Sequence, residues 1–268
     1  MPYLAEDDAA MAVMDLFQIK GQNALVTGGG RGLGKAMATA LAECGANVAI
    51  VDIDLERAQG AAQDLEALGV KSLAYYGDVT KEEDAQRTVD ALIQEWGTLD
   101  LLINNAGVGI LGAAEDVPFS DIRTTFEIDV FGIFTFSRAA FKPMSRQKRG
   151  NIINIASMAG ISVLFPQEHA HYNSAKAAVI MVTKSLAVEW APFGIRVNAI
   201  APGYMITPPV IKLQQEDPKR WEFWMSRVPM GRAGEPEELK GSVIYLASAA
   251  SGYMTGHTLV IDGGYTCM

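Results

Sequence analysis

Short apolar runs alternate along the chain with longer stretches whose apolar residues recur every three or four positions. The runs Asn23–Thr27, Asn47–Asp52, Ser72–Val79, Asp100–Gly107, Gly150–Ser157, Gly194–Gly203 and His257–Gly264 read as strands. They are continuously apolar rather than alternating, the pattern of a sheet buried on both faces. Helical spacing fills most of the intervals, as in Gly34–Gly45, Leu55–Gly69, Asp84–Trp96, Phe131–Met144 and Tyr172–Trp190. Strand and helix in alternation, joined mostly by short connections, predict an α/β fold: a doubly wound parallel sheet with helices on both faces. No shift of composition marks a second domain, so residues 20–268 read as one domain behind an N-terminal extension, residues 1–19. The least regular stretch, Gly203–Arg232, follows a strand and carries several prolines and aromatics. Ligands of open α/β sheets bind beyond the carboxyl ends of the strands, so residues 204–232 are a candidate substrate lid.

Composition narrows the function. The 268 residues are 49% hydrophobic and 20% charged with a net charge of -9, ordinary for a globular protein and unsuited to nucleic acid, whose phosphates an acidic chain repels. No apolar run is long enough to span a membrane, and the acidic start of the chain does not read as a signal peptide. Cys44 and Cys267 are too few and too scattered for a disulfide framework or a zinc site, so the expected setting is reducing and cytoplasmic. The three histidines, without carboxylates at ligand spacing, predict no metal site.

Two features point to a dinucleotide. "TGGGRGLG", Thr27–Gly34, follows the first strand and opens the first helix. Main-chain amides and a helix N-terminus can hold a pyrophosphate there, and glycine permits close approach. Its spacing, through Gly28, Gly32 and Gly34, differs from the common G-x-G-x-x-G; Arg31 and Leu33 lie between. Asp52 ends the second strand, where a carboxylate can accept hydrogen bonds from ribose hydroxyls and repel a 2′-phosphate. Ile53 follows, so no arginine is offered to that phosphate, and NAD is the expected cofactor. Asp54 is the better placed of the two aspartates to cap the next helix.

"TGGGRGLG", "NNAG" (Asn104–Gly107), Ser157 in "NIASMAG", "YNSAK" (Tyr172–Lys176) and "APG" (Ala201–Gly203) occur in the order found in the short-chain dehydrogenase/reductase superfamily. From about Asn23 onward the chain resembles that family. The resemblance implies a single Rossmann-type domain, a nicotinamide cofactor and a homotetramer joined through the helices around Phe131–Met144 and Tyr172–Trp190. The roles it implies agree with elementary chemistry. A free phenol titrates near ~10, too high for a base at neutral pH, and a nearby cation favours the phenolate. Lys176 lies one helical turn from Tyr172 on the same face. Tyr172 is then the acid/base, Ser157 bonds the substrate oxygen, and Lys176 also binds the nicotinamide ribose. By the same resemblance Asp78 and Val79 edge the adenine, Asn105, Ala106 and Gly107 line the adenosine side, and Gly203, Met205 and Thr207 face the nicotinamide. Asn104 is assigned to fold support.

One position departs from the family pattern. Many members carry Asn in an N-x-x-G element where this chain has Asp129 in "EIDVFGIF". An ionised carboxylate accepts hydrogen bonds but cannot donate. Asp129 can still hold a water or contact Lys176, and is counted as a relay member. His169 and Gln167 are candidate contacts for a polyhydroxylated substrate, while His171 is expected in packing. The segment "WEFWMSRVPMGRAGEPEEL" and the tail "TGHTLVIDGGYTCM" resemble polyol-oxidising members such as galactitol, sorbitol and arabinitol dehydrogenases. The leading expectation is oxidation of a sugar alcohol to a ketose. A 3-oxoacyl-carrier-protein or other ketone reductase, a hydroxysteroid enzyme and a cofactor-binding sensor without turnover are the alternatives.

Overall fold

A computed structural model describes residues 12–268. Among them seven parallel strands form one sheet in the order β3-β2-β1-β4-β5-β6-β7. The strands are β1 (Asn23–Thr27), β2 (Asn47–Asp52), β3 (Ser72–Tyr76), β4 (Leu101–Asn104), β5 (Gly150–Ile155), β6 (Ile195–Pro202) and β7 (Thr258–Ile261). Helices α1 (Gly32–Glu43), α2 (Leu55–Glu66), α3 (Glu82–Trp96), α4 (Phe119–Phe126), α5 (Gly132–Gln147), α6 (Ala170–Trp190), α7 (Pro208–Glu216), α8 (Pro218–Ser226) and α9 (Lys240–Ala247) complete the fold.

The continuous apolar strands feed two cores. Leu25, Val51, Leu102, Ile152 and Val197 pack under α3, α5 and α6. Their strand neighbours Val26, Ile50, Ile103, Ile153 and Ile200 pack under α1, α2 and α9. Successive side chains point to opposite faces, so a sheet covered on both sides needs apolar residues at nearly every position. The chain runs outward from β1 to β3 and returns on the other side of β1 with β4. That reversal opens a crevice beyond the carboxyl ends of β1 and β4. Most strands end before their apolar runs do: β4 stops at Asn104, and Asn105–Gly107 already belong to the crevice.

Gly203–Arg232 is more regular than its composition suggests. Pro208 and Pro218 each occupy a first helical turn, where the missing amide hydrogen costs nothing, and Asp217 caps α8 through the Arg220 amide at 3.0 Å. The helices sit over a third apolar cluster containing Met158, Leu164, Trp224, Met225 and Tyr265. The expected extension, residues 1–19, falls partly outside the described residues. Of its remainder, Val13–Phe17 forms a 3₁₀ turn, Phe17 lies 6.5 Å from the Tyr245 ring, and Ile19 is part of the α1/α9 core. No helix among the described residues is long and apolar enough to cross a membrane.

Candidate active site

The glycine loop between β1 and α1 is shaped by close contacts. Gly28 and Gly32 have φ of +60° and +55°, the left-handed region that glycine enters without penalty. A Cβ on Gly34 would fall on the Gly28 carbonyl and the Asn105 amide, whereas one on Gly32 would meet open space. Arg31 is the exposed N-cap of α1, and Leu33 packs against the core. The loop is braced from β4: Asn105 Nδ2 donates to the carbonyls of Thr27 and Gly28, both at 3.0 Å. Thr27 Oγ1 accepts from the amides of Asn105 (3.0 Å) and Ala106 (3.1 Å). Thr27 thus ties the end of β1 to the start of the loop after β4. Its position, one residue before the glycines, is the only signal it carries in the sequence.

Asp52 is buried at the end of β2 and accepts from the amides of Gly30 and Asp54, each at 3.1 Å. Asp54 caps α2 through the Arg57 amide, as its position suggested. Ile53 projects into solvent beside it. Arg57, which no motif marks, closes on the glycine loop: its Cβ would lie 2.9 Å from a Cβ on Gly30. The Arg57 guanidinium is engaged by Asp54 at 2.9 Å. Asp78 is occupied locally, with Oδ1 accepting from the amide and hydroxyl of Thr80, and Val79 packs on Gly132. An open patch above Gly32, a helix N-terminus and a carboxylate at the β2 end fit the phosphates and ribose of a dinucleotide.

On the other side of the crevice stand the proton-bearing groups. Ser157 lies two residues beyond β5, is nearly buried, and accepts from the Ala159 amide at 3.1 Å, leaving its hydroxyl proton free to donate. The turn Met158–Gly160 lies directly on α6: a Cβ on Gly160 would be 2.5 Å from the Lys176 carbonyl carbon. Lys176 Nζ is 5.7 Å from the Tyr172 ring centre, donates to the Ile155 carbonyl at 3.1 Å and pairs with Asp129 at 3.2 Å. Burial works against its charge, but Asp129 and Tyr172 outweigh that and hold Lys176 above the ordinary lysine range. Asp129 sits in a π-turn, Glu127–Phe131, between α4 and α5.

Gln167 Nε2 donates to the Tyr204 hydroxyl. Tyr204 stacks on Trp224 at 5.3 Å and meets Tyr265 edge-on at 5.9 Å; burial pushes its phenol well up. His169 lies 5.2 Å from the Tyr172 ring, and among the described residues neither of its nitrogens has a hydrogen-bond partner. Burial, with His171 and Arg220 nearby, lowers its pKa to about 4, so it is neutral at pH 7. His171 is buried in α6. Gly203 backs against Asp262, and Thr207 is the N-cap of α7. The Met205 side chain is buried in the α1/α9 core against Gly234, and its main chain bridges to the same glycine. Among the described residues, no group of three or more His, Cys, Asp or Glu could hold a metal ion.

A family described as enoyl-(acyl carrier protein) reductase matches residues 28–266. The chain is 40% identical to a galactitol 2-dehydrogenase of Rhizobium johnstonii, over 96% of this chain and all of the relative. A short-chain type dehydrogenase/reductase from Mycobacterium marinum superposes with a TM-score of 0.90 at 40% identity, covering 96% and 100% of the two chains. An NAD+-bound xylitol dehydrogenase superposes at 0.88 with 37% identity, covering 92% and 100%. An NADP-dependent mannitol dehydrogenase of Hypocrea jecorina and a gluconate 5-dehydrogenase in complex with NADP also occur among the matches. With the glycine cradle and the serine, tyrosine and lysine gathered at one crevice, the chain is a nicotinamide-cofactor oxidoreductase and belongs to the short-chain dehydrogenase/reductase family.

Proposed function

We propose that the protein oxidises a secondary hydroxyl of a sugar alcohol to the ketose, with NAD as hydride acceptor. The observation that carries this reading is the buried Lys176 ammonium held 5.7 Å from the Tyr172 ring. That cation stabilises a phenolate one helical turn away, which makes Tyr172 the base that takes the hydroxyl proton. Ser157 Oγ–H donates to the substrate oxygen and orients it. NAD, when bound, supplies the hydride acceptor at its nicotinamide. Lys176 also holds the nicotinamide ribose. Gly203, Thr207 and the Met205 main chain border the nicotinamide end, while Gly28, Arg31, Gly32, Leu33 and Gly34 cradle the pyrophosphate. Asp52 and Ile53 receive the adenosine ribose, and Asp78, Val79 and Asn105–Gly107 flank the adenine side. NAD is favoured over NADP because the Asp52 carboxylate repels a 2′-phosphate and Arg57 is already paired with Asp54.

A sugar alcohol is favoured by the galactitol and xylitol enzymes among the relatives and by the pocket wall. His169, neutral and unpartnered, and Gln167 offer hydrogen bonds to further hydroxyls of a polyol. Residues 204–232, through α7 and α8, form the lid. Two subunit faces are supplied by α5 and α6, where Phe134, Met181 and Val188 are exposed, which supports the homotetramer. Free Cys44 and Cys267 suit a cytoplasmic setting. The test is NADH formation across tetritols, pentitols and hexitols, with NADP run in parallel. Turnover confined to ketone or enoyl thioester reduction would replace this reading, and tight NADH binding without any turnover would make the protein a sensor.

A further inference from the structure

Asp129 is wholly buried; one carboxylate oxygen accepts a hydrogen bond, and the other meets the Lys176 charge as an ion pair without hydrogen-bond geometry. Oδ1 accepts from the Val108 amide at 2.8 Å, and Oδ2 lies 3.2 Å from Lys176 Nζ. Gly107 borders the pair: a Cβ there would sit 3.3 Å from Asp129 Oδ1 and 3.4 Å from Lys176 Nζ. An asparagine has one acceptor oxygen and one NH₂ donor, so it cannot answer two donors without turning its NH₂ toward one of them. The pocket is therefore complementary to a carboxylate. The groups facing Lys176 are Asp129 from the π-turn, Tyr172 from its own helix and the Ile155 carbonyl from β5. The titratable ones among these are Asp129 and Tyr172, and they draw on the same ammonium; Tyr172 also faces the His169 ring at 5.2 Å, which is neutral above its pKa of about 4.

We propose that Asp129 is a positioning residue acting through Lys176: a buried counter-ion that takes part of the ammonium's field away from Tyr172 and so sets the pH range of alcohol oxidation higher than a neutral residue would. The inference rests on the reading of Tyr172 as the proton carrier. Without the carboxylate, Tyr172 is the remaining one of the two groups that offset burial of the Lys176 ammonium, so the phenolate becomes its counter-ion and receives the lysine's field undivided. The acid limb of kcat/KM for alcohol oxidation then moves to lower pH by about one unit, the scale of a single charge contact at this range.

The experiment compares the pH profiles of the parent, Asp129→Asn and Asp129→Ser; the asparagine keeps the side-chain shape and the serine is smaller and polar, and neither carries charge. Both variants should shift the limb downward. In the cofactor-free proteins, phenolate absorbance taken as the difference from Tyr172→Phe should move the same way. A limb that stays in place or moves upward in a folded variant overturns the proposal. Failure of both variants to fold would make Asp129 a structural brace and overturn it equally. Tyr172→Phe separates the two ideas. Turnover by it at the parent rate removes the tyrosine's role, whereas an inactive Tyr172→Phe beside an unmoved limb removes only the counter-ion.

Discussion

The two sides of the crevice are built from different materials. Around β1, α1 and β2 the surface is mostly main chain, shaped by glycines whose missing side chains leave room for a ligand. Around β5 and α6 it is side chains whose charges and protons are arranged by burial. The first kind of surface fails by collision and the second by loss of charge, so the two sides should respond differently to substitution.

The largest effect should come from the charged side. Tyr172→Phe removes the proton carrier without disturbing the ring packing, and kcat should fall by roughly 10²–10⁴ while NADH affinity and melting temperature hold. Gly160→Ala tests where the sides meet. Its methyl would drive the serine turn away from α6, and a displacement of this size is expected to lower kcat by about 10²-fold, with stability reduced by ~1–3 kcal/mol. Gly34→Ala should spare the proton chemistry and weaken NADH binding by at least about tenfold, read by fluorescence quenching, because the added carbon strikes the Gly28 carbonyl. Asp52→Asn keeps the side-chain shape and removes the charge; the NAD-to-NADP ratio of kcat/KM should fall by about tenfold. An unchanged ratio would remove the argument for NAD.

The smallest effect belongs to His169. Its folded pKa, about 4, lies below the ordinary 6.5. Between those values the unfolded chain takes up a proton that the folded chain refuses, so stability rises with pH across this window and is lost as pH falls. His169→Asn should lessen that dependence by a few degrees in melting temperature between pH 6.5 and 4, and raise KM for the polyol a few-fold.

The main-chain side was the more legible in sequence. Glycines at Gly28, Gly32 and Gly34 and an acidic end to β2 report directly on backbone shape and charge. Tyr172 and Lys176 were legible because helical spacing alone brings them together. Contacts between distant segments were not. Nothing local announces that Gly160 touches α6, that Thr27 gathers two amides from the loop after β4, or that Arg57 closes on Gly30 of the glycine loop. Asp129 stood out by its departure from the family pattern, which already allowed a contact with Lys176, but the π-turn that brings it there has no spacing signature. The helices α7 and α8 were hidden by prolines, which look like breakers until their place in the first turn is known.

Asn104 and Asn154 are direct partners in the β4–β5 register, joined amide to carbonyl at 2.9 Å. Asn104 also donates to Ser137 and Asn154 to Thr183, anchoring the pair to α5 and α6. Sheets of uniformly apolar strands have a weakness: sliding one strand along another exchanges one buried isoleucine or leucine for the next at little penalty. A slip here would strand two amides in an apolar interior, at a cost of ~1–3 kcal/mol for each group left without a partner. The asparagines thus serve as an assembly check. Gly107 and Ser157 each lie three residues beyond one of them, so a correctly aligned sheet delivers both to the crevice together.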